Sequence, residues 1–333
     1  MRYMKRIFTI FLAASAIASC CGPKDGEYTF RLLTTNDVHG RSFDSLYVAD
    51  ETVNALTNIA WYADSIRTAD GPDNVILLDA GDCLQGDNAA YYFNYIDTAS
   101  THLYARMTEY IGYDAVVVGN HDIETGHKVY DRMVRTMKVP FLAANAIRTD
   151  DGKPYFQEYV TLKRHGLNIT VIGFTNPNIK GWLSPGLWEG MTFESLLPFA
   201  QETVDRIKTK EKSDVVIVAV HAGTGKGDGT VLESQGLDLF KSLRGVDFVV
   251  CAHDHSPVVH KNDSICLINA GSHCRSLGYG TVKVKVEDGK VVSKSLDAEL
   301  MPMDKNNVDK DMQKAFRADY EAVKAFTLKE VGE

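Results

Sequence analysis

From residue 29 onward, short runs of apolar and β-branched residues alternate with longer amphipathic stretches, the signature of an α/β fold. The short runs predict strands over residues 28–34, 75–79, 115–118, 167–174, 215–220, 248–251 and 265–268. Helical periodicity falls between them, around residues 53–67, 99–111, 129–137, 196–208 and 237–243. Residues 279–299 alternate with a period of two about Asp288-Gly289, a turn pair that predicts an antiparallel hairpin closing a sheet. No internal repeat or low-complexity tract interrupts the pattern. At 333 residues and 44% hydrophobic composition, the chain is long enough for a sizeable core.

The two ends depart from this pattern. Arg2, Lys5 and Arg6 precede an apolar run over residues 7–18, too short for the roughly 20 helical residues that span a bilayer, and the layout predicts an export signal. It ends in Ile17-Ala18-Ser19-Cys20, which resembles the lipobox of bacterial lipoproteins. The expectation is a signal peptide over residues 1–19, cleavage before Cys20, and a lipid anchor there that holds the exported protein to a membrane facing the periplasm or the cell exterior. Residues 20–27, with Gly22, Pro23 and Gly26, read as a tether. Residues 304–309 are polar, and 312–328 predict a charged helix with little apolar surface and no obvious core of its own.

Charge narrows the partners. Loss of residues 1–19 removes three cations and takes the net charge from −8 to −11. Such a surface repels polyanions, so a nucleic-acid polymer is excluded as a partner, and a phosphate-bearing substrate needs locally placed cations such as metal ions. Cys83, Cys251, Cys266 and Cys274 show no C-x-x-C spacing, and neither a zinc ribbon nor a disulfide framework is expected.

The candidate chemistry lies where apolar runs end. Five of them are followed at once by carboxylate, imidazole or amide groups: Asn36-Asp37-Val38-His39-Gly40, Asp79-Ala80-Gly81-Asp82, Gly119-Asn120-His121-Asp122, His221, and Ala252-His253-Asp254-His255. In an α/β sheet the residues just past the carboxyl ends of parallel strands gather along one crevice. Asp37 and His39, and likewise His253 and His255, are two apart, a spacing that lets both members of a pair face one centre. Carboxylate oxygen, imidazole nitrogen and amide oxygen together suit divalent ions such as zinc or manganese. Seven such groups exceed the needs of one ion and point to two.

This ordered motif set resembles the calcineurin-like metallophosphoesterases. Within that superfamily, residues 35–40, Ala144-Asn145 and Ala270-Gly271-Ser272 look like the catalytic domain of the bacterial 5′-nucleotidase and UDP-sugar hydrolase family, over residues 29–303. The resemblance implies a four-layer α/β/β/α sandwich of two mixed sheets covered by helices, with a catalytic domain over residues 28–303. It implies one metal held by Asp37, His39, Asp82 and His255, a second by Asp82, Asn120, His221 and His253, and attack on phosphorus by a hydroxide made there. His121 would stabilise the transferring phosphoryl group or protonate the departing oxygen, and Glu124 would orient it. Glu124 stands where relatives usually carry aspartate, and Ala252 where they usually carry glycine. Residues 309–333 resemble the helix that connects relatives to a second, base-binding domain, so a separate polypeptide is expected to supply that domain unless the catalytic domain works alone.

Several residues admit plainer readings. His102, His127, His165 and Cys83 are expected to be structural; His273 or Arg275 could touch substrate, and the cluster Tyr91-Tyr92-Phe93 or the pair Trp182 and Trp188 could stack a base, but for these too a structural role is the expectation. The functional expectation is a two-metal hydrolase of phosphate esters, of the 5′-nucleotidase type, acting on a small phosphoester such as a nucleotide outside the cytoplasm. The alternatives are a related ester hydrolase, such as a sulfur-carrier thiosulfohydrolase, and a metal-binding lipoprotein subunit, without turnover of its own, that depends on a nucleotide-binding partner.

Overall fold

The computed structural model describes residues 22–49 and 51–332; the predicted export signal and the predicted anchor at Cys20 lie outside the described residues. Strands β1 (Gly26–Thr35), β2 (Val75–Asp79), β3 (Ala115–Val117) and β4 (Phe141–Leu142) run parallel, and β13 (Ser276–Glu287) and β14 (Lys290–Pro302) extend this sheet antiparallel, in the order β14-β13-β1-β2-β3-β4. A second sheet has the order β11-β12-β10-β9-β7-β6. In it β7 (Leu167–Phe174), β9 (Val215–Val220), β10 (Phe248–Val250) and β12 (Cys266–Asn269) are parallel. Its edges are the antiparallel strands β6 (Tyr159–Arg164) and β11 (Val258–Lys261). A small antiparallel pair, β5 (Ala146–Arg148) and β8 (Met191–Phe193), stands apart.

Strand alternation separates three apolar cores. In β9, Val215, Ile217 and Ala219 face the other sheet, whereas Val216, Val218 and Val220 face helices. Phe30, Leu32, Ile76 and Leu78 complete the core between the sheets. Helices α1 (Leu56–Asp70), α3 (Leu103–Ile111) and α5 (His127–Thr136) pack with Leu33, Leu77 and Val116 on one outer face; α7 (Leu196–Glu211) and α8 (Gly236–Ser242) cover the other. The result is the four-layer sandwich expected from the sequence. The sheets approach closely near the crevice end: a methyl on Gly278 would stand 2.1 Å from Thr34 Oγ1 and 2.6 Å from Ile268 Cγ2.

The predicted terminal helix differs from expectation. It divides into α9 (Lys310–Ala315) and α10 (Arg317–Glu330), and Met312, Phe316 and Val323 are buried in the core over the first sheet. Asn58 Nδ2 donates to the carbonyls of Asp304, Lys305 and Asn307, and Arg106 grips both oxygens of Asp319, at 2.9 and 2.6 Å. Few apolar residues suffice because they alternate with these polar anchors. Cys83, Cys251, Cys266 and Cys274 are buried and unpaired. Among the described residues no helix is long and apolar enough to cross a membrane.

His102 caps α3. Its Nδ1 accepts from Tyr104 N at 3.1 Å, and its Nε2 donates to Asn94 Oδ1 at 3.1 Å, which fixes the neutral tautomer. Burial, aided by Arg132 and Arg106, pushes its pKa down to about 3. The unfolded chain binds this proton near the ordinary value of 6.5 and the folded chain does not. Stability from this residue is therefore complete above about pH 6.5 and lost as pH falls toward 3, by up to about 1.4 kcal/mol per pH unit. Urea midpoints measured from pH 4.5 to 8 should fall more steeply on acidification for the wild type than for His102→Asn, which keeps a cap but not the titration.

Candidate metal centre

The parallel strands of both sheets deliver polar loops to one crevice. Asp37 and His39 follow β1, Asp82 follows β2, Asn120 follows β3, His221 follows β9, and His253 and His255 follow β10. Asp37, His39, Asp82, His253 and His255 all have left-handed backbone, with φ between 48° and 75°. That conformation is sparsely populated outside glycine, tolerated best by Asp, Asn and His, and concentrated at functional sites.

Backbone pairing sets these loops. Asp37 N donates to Gly81 O and His39 N to Asp82 O, both at 2.9 Å, so the loops after β1 and β2 stay zipped beyond the strands. Asp122 joins the next pair: its carboxylate accepts from the backbone nitrogens of Asp82, Cys83, Leu84 and Gly119 at 2.7 to 3.1 Å, and from Cys83 Sγ at 3.3 Å. A methyl on Gly119 would stand 2.1 Å from Asp82 Oδ1, so only glycine admits the carboxylate there. Across the crevice, His253 N donates to Asp37 Oδ2 at 2.9 Å, and within the second sheet Asn269 Nδ2 donates to Asp254 Oδ1 at 2.7 Å.

Two donor groups result. One atom from each of Asp37, His39 and His255 lies within 4.8 Å of the others, and the same holds for Asp82, His221 and His253. The first group contains an orphan: Asp37 Oδ1 is buried without a hydrogen bond and faces Nε2 of His255 at 3.5 Å and of His39 at 3.9 Å. His39 Nδ1 faces the Gln85 carbonyl at 3.3 Å, which makes it the protonated nitrogen and leaves a lone pair on Nε2, 2.9 Å from His255 Nε2. The second group repeats the pattern. His221 Nδ1 donates to Ala80 O at 2.8 Å, so its Nε2 lone pair faces two acceptors, Asp82 Oδ2 at 3.0 Å and Asn120 Oδ1 at 3.1 Å. Lone pairs converging on lone pairs, away from water, fit a bound cation at each group. Without one, a proton must serve: burial opposes charge on His221, yet the adjoining Asp82 carboxylate pushes its pKa up to about 10.

The other predicted residues separate. His121 Nδ1 is hydrogen-bonded to Glu124 Oε2, so the longer carboxylate reaches its imidazole, and His121 N donates to Asp82 Oδ1 at 2.8 Å. Ala252 is buried in the core between the sheets. His127 bonds Glu189 O at 3.0 Å and Asp131 at 3.3 Å, and His165 stacks on Tyr28. Trp188 donates to Leu183 O, and Arg275 donates to Ser272 Oγ at 2.7 Å. His273 lies beside the centre, its ring centroid 5.4 Å from that of His39. Trp182, at the end of the short helix α6 (Ile179–Trp182), stacks on His253 with centroids 5.1 Å apart.

The profile of the calcineurin-like phosphoesterases matches residues 30–257. A 5′-nucleotidase of Vibrio cholerae serotype O1 is 25% identical over 342 residues, covering 97% of this chain and 60% of that protein. A 2′,3′-cyclic-nucleotide 2′-phosphodiesterase/3′-nucleotidase of Yersinia enterocolitica is 24% identical, covering 76% and 40%. The chain thus spans only part of the length of these relatives. The solved structure of the calcineurin-like phosphoesterase YfkN from Bacillus subtilis superposes with a TM-score of 0.78 at 21% identity, over 90% of this chain and 99% of that one, a likeness of fold.

Two measurements test the geometry. Asp122→Asn turns an amide toward backbone donors and should cost about 1–3 kcal/mol in chemical denaturation, with loss of bound metal. Zinc added to the chelated protein should change tryptophan emission through the ring stacked on His253, and Trp182→Phe should abolish that change.

Proposed function

This chain belongs to the calcineurin-like phosphoesterase family, and we propose that it is a two-metal hydrolase of phosphate esters, of the 5′-nucleotidase type, acting outside the cytoplasm. The observation that carries the reading is the pair of buried donor groups whose lone pairs converge: Asp37, His39 and His255, and Asp82, His221 and His253. Asn120 would join the second group through its Oδ1, and Asp82, whose Oδ2 faces His221 there, would serve as the carboxylate common to two ions. When bound, divalent cations such as zinc or manganese acidify a water and neutralise charge on the phosphoryl oxygens.

The chain's own groups do the rest. His121 stands beside the centre with its imidazole held through Nδ1 by Glu124, which leaves Nε2 for the phosphoryl group or the departing oxygen. Asp122 and Asn36 hold the loops that carry the donors, so the ligands stay in place before substrate arrives. The similarity to the Vibrio and Yersinia enzymes supports a nucleotide as substrate. The basic-then-apolar start supports export and an anchor at Cys20. In this reading residues 28–303 form the catalytic domain and residues 304–333 a connecting segment.

Hydrolysis of a nucleotide panel and of an activated aryl phosphate, with manganese or zinc, tests the proposal. Chelator should abolish turnover, Asp82→Ala should lose metal and activity together, and His121→Ala should retain metal but slow turnover about a hundred- to ten-thousand-fold. A folded, metal-loaded protein without turnover on any substrate would instead indicate a subunit that depends on a separate nucleotide-binding polypeptide.

A further inference from the structure

His121 and Glu124 form part of the lining of a cavity of about 390 Å³ that none of the six donor residues lines. Its wall is aromatic. Tyr91 closes the short helix α2 (Asn88–Tyr91), and Tyr95 lies on the π-helical turn Tyr92–Ile96 that follows. Their rings are 5.2 Å apart, and they are 52% and 47% exposed, which is unusual for side chains that carry so much apolar surface. The neighbouring Phe93 is buried in the core, so the turn divides its rings between packing and display.

This display is rigid. Asn94 Nδ2 donates to Leu84 O at 2.7 Å, Arg132 donates to Phe93 O, and Tyr91 rests on Phe326 of α10 with the rings 17° from parallel. π-helical turns interrupt α-helical pairing and recur at functional sites, and a braced ring loses little freedom when it stacks on a ligand. Polar groups are on offer beside the rings. Gln85 is exposed and its side chain has no hydrogen bond among the described residues, while Asn88 uses only its Nδ2, toward Thr327, and keeps Oδ1 free. The charged lining consists of Asp87, Glu124 and His121; it contains neither lysine nor arginine.

We propose that this cavity is the leaving-group subsite and that it takes a planar, heteroaromatic and uncharged leaving group, a nucleoside freed from its monophosphate. The inference rests on the hydrolase reading above and names the substrate class for that site. With the phosphoryl group at the donor groups, the water oxygen bonds to phosphorus and the ester P–O bond breaks. Its electron pair stays on the departing oxygen, which is protonated at the His121 edge of the cavity, so that orthophosphate and the free alcohol leave. The base of that alcohol then stacks on Tyr91 and Tyr95. A leaving group carrying a further phosphate would meet the carboxylates of Glu124 and Asp87, and Arg41, 3.7 Å from Asp87, is already matched by that carboxylate, so nucleoside diphosphates and nucleotide sugars are disfavoured.

The test compares AMP, ADP and glycerol 3-phosphate on the full chain, wild type and Tyr91→Ala, Tyr95→Ala and both Phe variants. It also measures adenosine binding by equilibrium dialysis on the chelated protein. The alanine variants should lower the ratio of kcat/KM for AMP over glycerol 3-phosphate by about 5- to 150-fold, the range of one base–aromatic stack, and the Phe variants should keep it. Wild type should favour AMP over ADP by at least about tenfold, and adenosine should bind wild type but not the alanine variants. An unchanged ratio, adenosine binding indifferent to both tyrosines, or loss on Trp182→Ala instead would overturn the subsite. If wild type hydrolyses none of the three, the hydrolase reading fails, and the dialysis still decides whether the cavity takes a nucleoside.

Discussion

The crevice depends on the carboxylate of Asp37. Its Oδ2 accepts from His253 N, which belongs to the second sheet, and from Asn36 Nδ2 at 2.7 Å; its carbonyl accepts from His273 N at 2.9 Å. One residue at the end of β1 thereby ties together loops that follow β1, β10 and β12. These bonds fix the direction of Oδ1, the oxygen left without a hydrogen bond, toward His39 and His255. Cross-sheet cohesion and the electrostatic demand for a cation thus come from two oxygens of the same group. A buried carboxylate oxygen with no donor is costly, and the structure concentrates that cost where a cation repays it.

The strained loops follow from the same constraint. Asp37 and His39, and His253 and His255, are two apart, a spacing that extended backbone would send to one face, but both pairs lie in loops past the strand ends. Left-handed backbone at each of the four turns these loops into the crevice, and hydrogen bonds that Asp37 N, His39 N and His253 N donate to Gly81 O, Asp82 O and the Asp37 carboxylate oppose relaxation. Gly119 and Gly81 contribute by absence: a Cβ on either would stand within 3 Å of Asp82 or His221 atoms.

Much of this was legible in the residues. Strands β2, β7 and β9 have the bounds that their apolar runs predict, because each is buried on both faces over all or nearly all of its length. The edge strand β6 is half-buried at every residue but the exposed Lys163, and β4, β5 and β8 have two or three residues, so none leaves a periodic trace. The donor groups were legible because polar residues directly after apolar runs are rare and ordered. Their supports were not. Asn36, Asp122 and Asp254 stand inside the same motifs, but spacing does not say which backbone nitrogens a carboxylate will meet. Trp182 comes from a four-residue helix far from His253 in sequence, and only the strand order of the second sheet, which holds both β7 and β10, brings the two loops together.

The C-terminal segment changes how the centre is understood. Its sequence reads as a charged connector, yet α10 sets Phe326 against Tyr91 and Thr327 against Asn88, at the mouth of the cavity beside His121. The donor groups recognise only what all phosphate esters share, so discrimination among esters has to come from what the leaving group touches. That surface is built from α2, the π-helical turn and the backing of α10, elements whose ligand-facing residues play no part in the sheets. A change in α10 can therefore alter the choice of substrate while leaving Asp37, Asp82 and His221 untouched, because the two functions share a crevice but not a support.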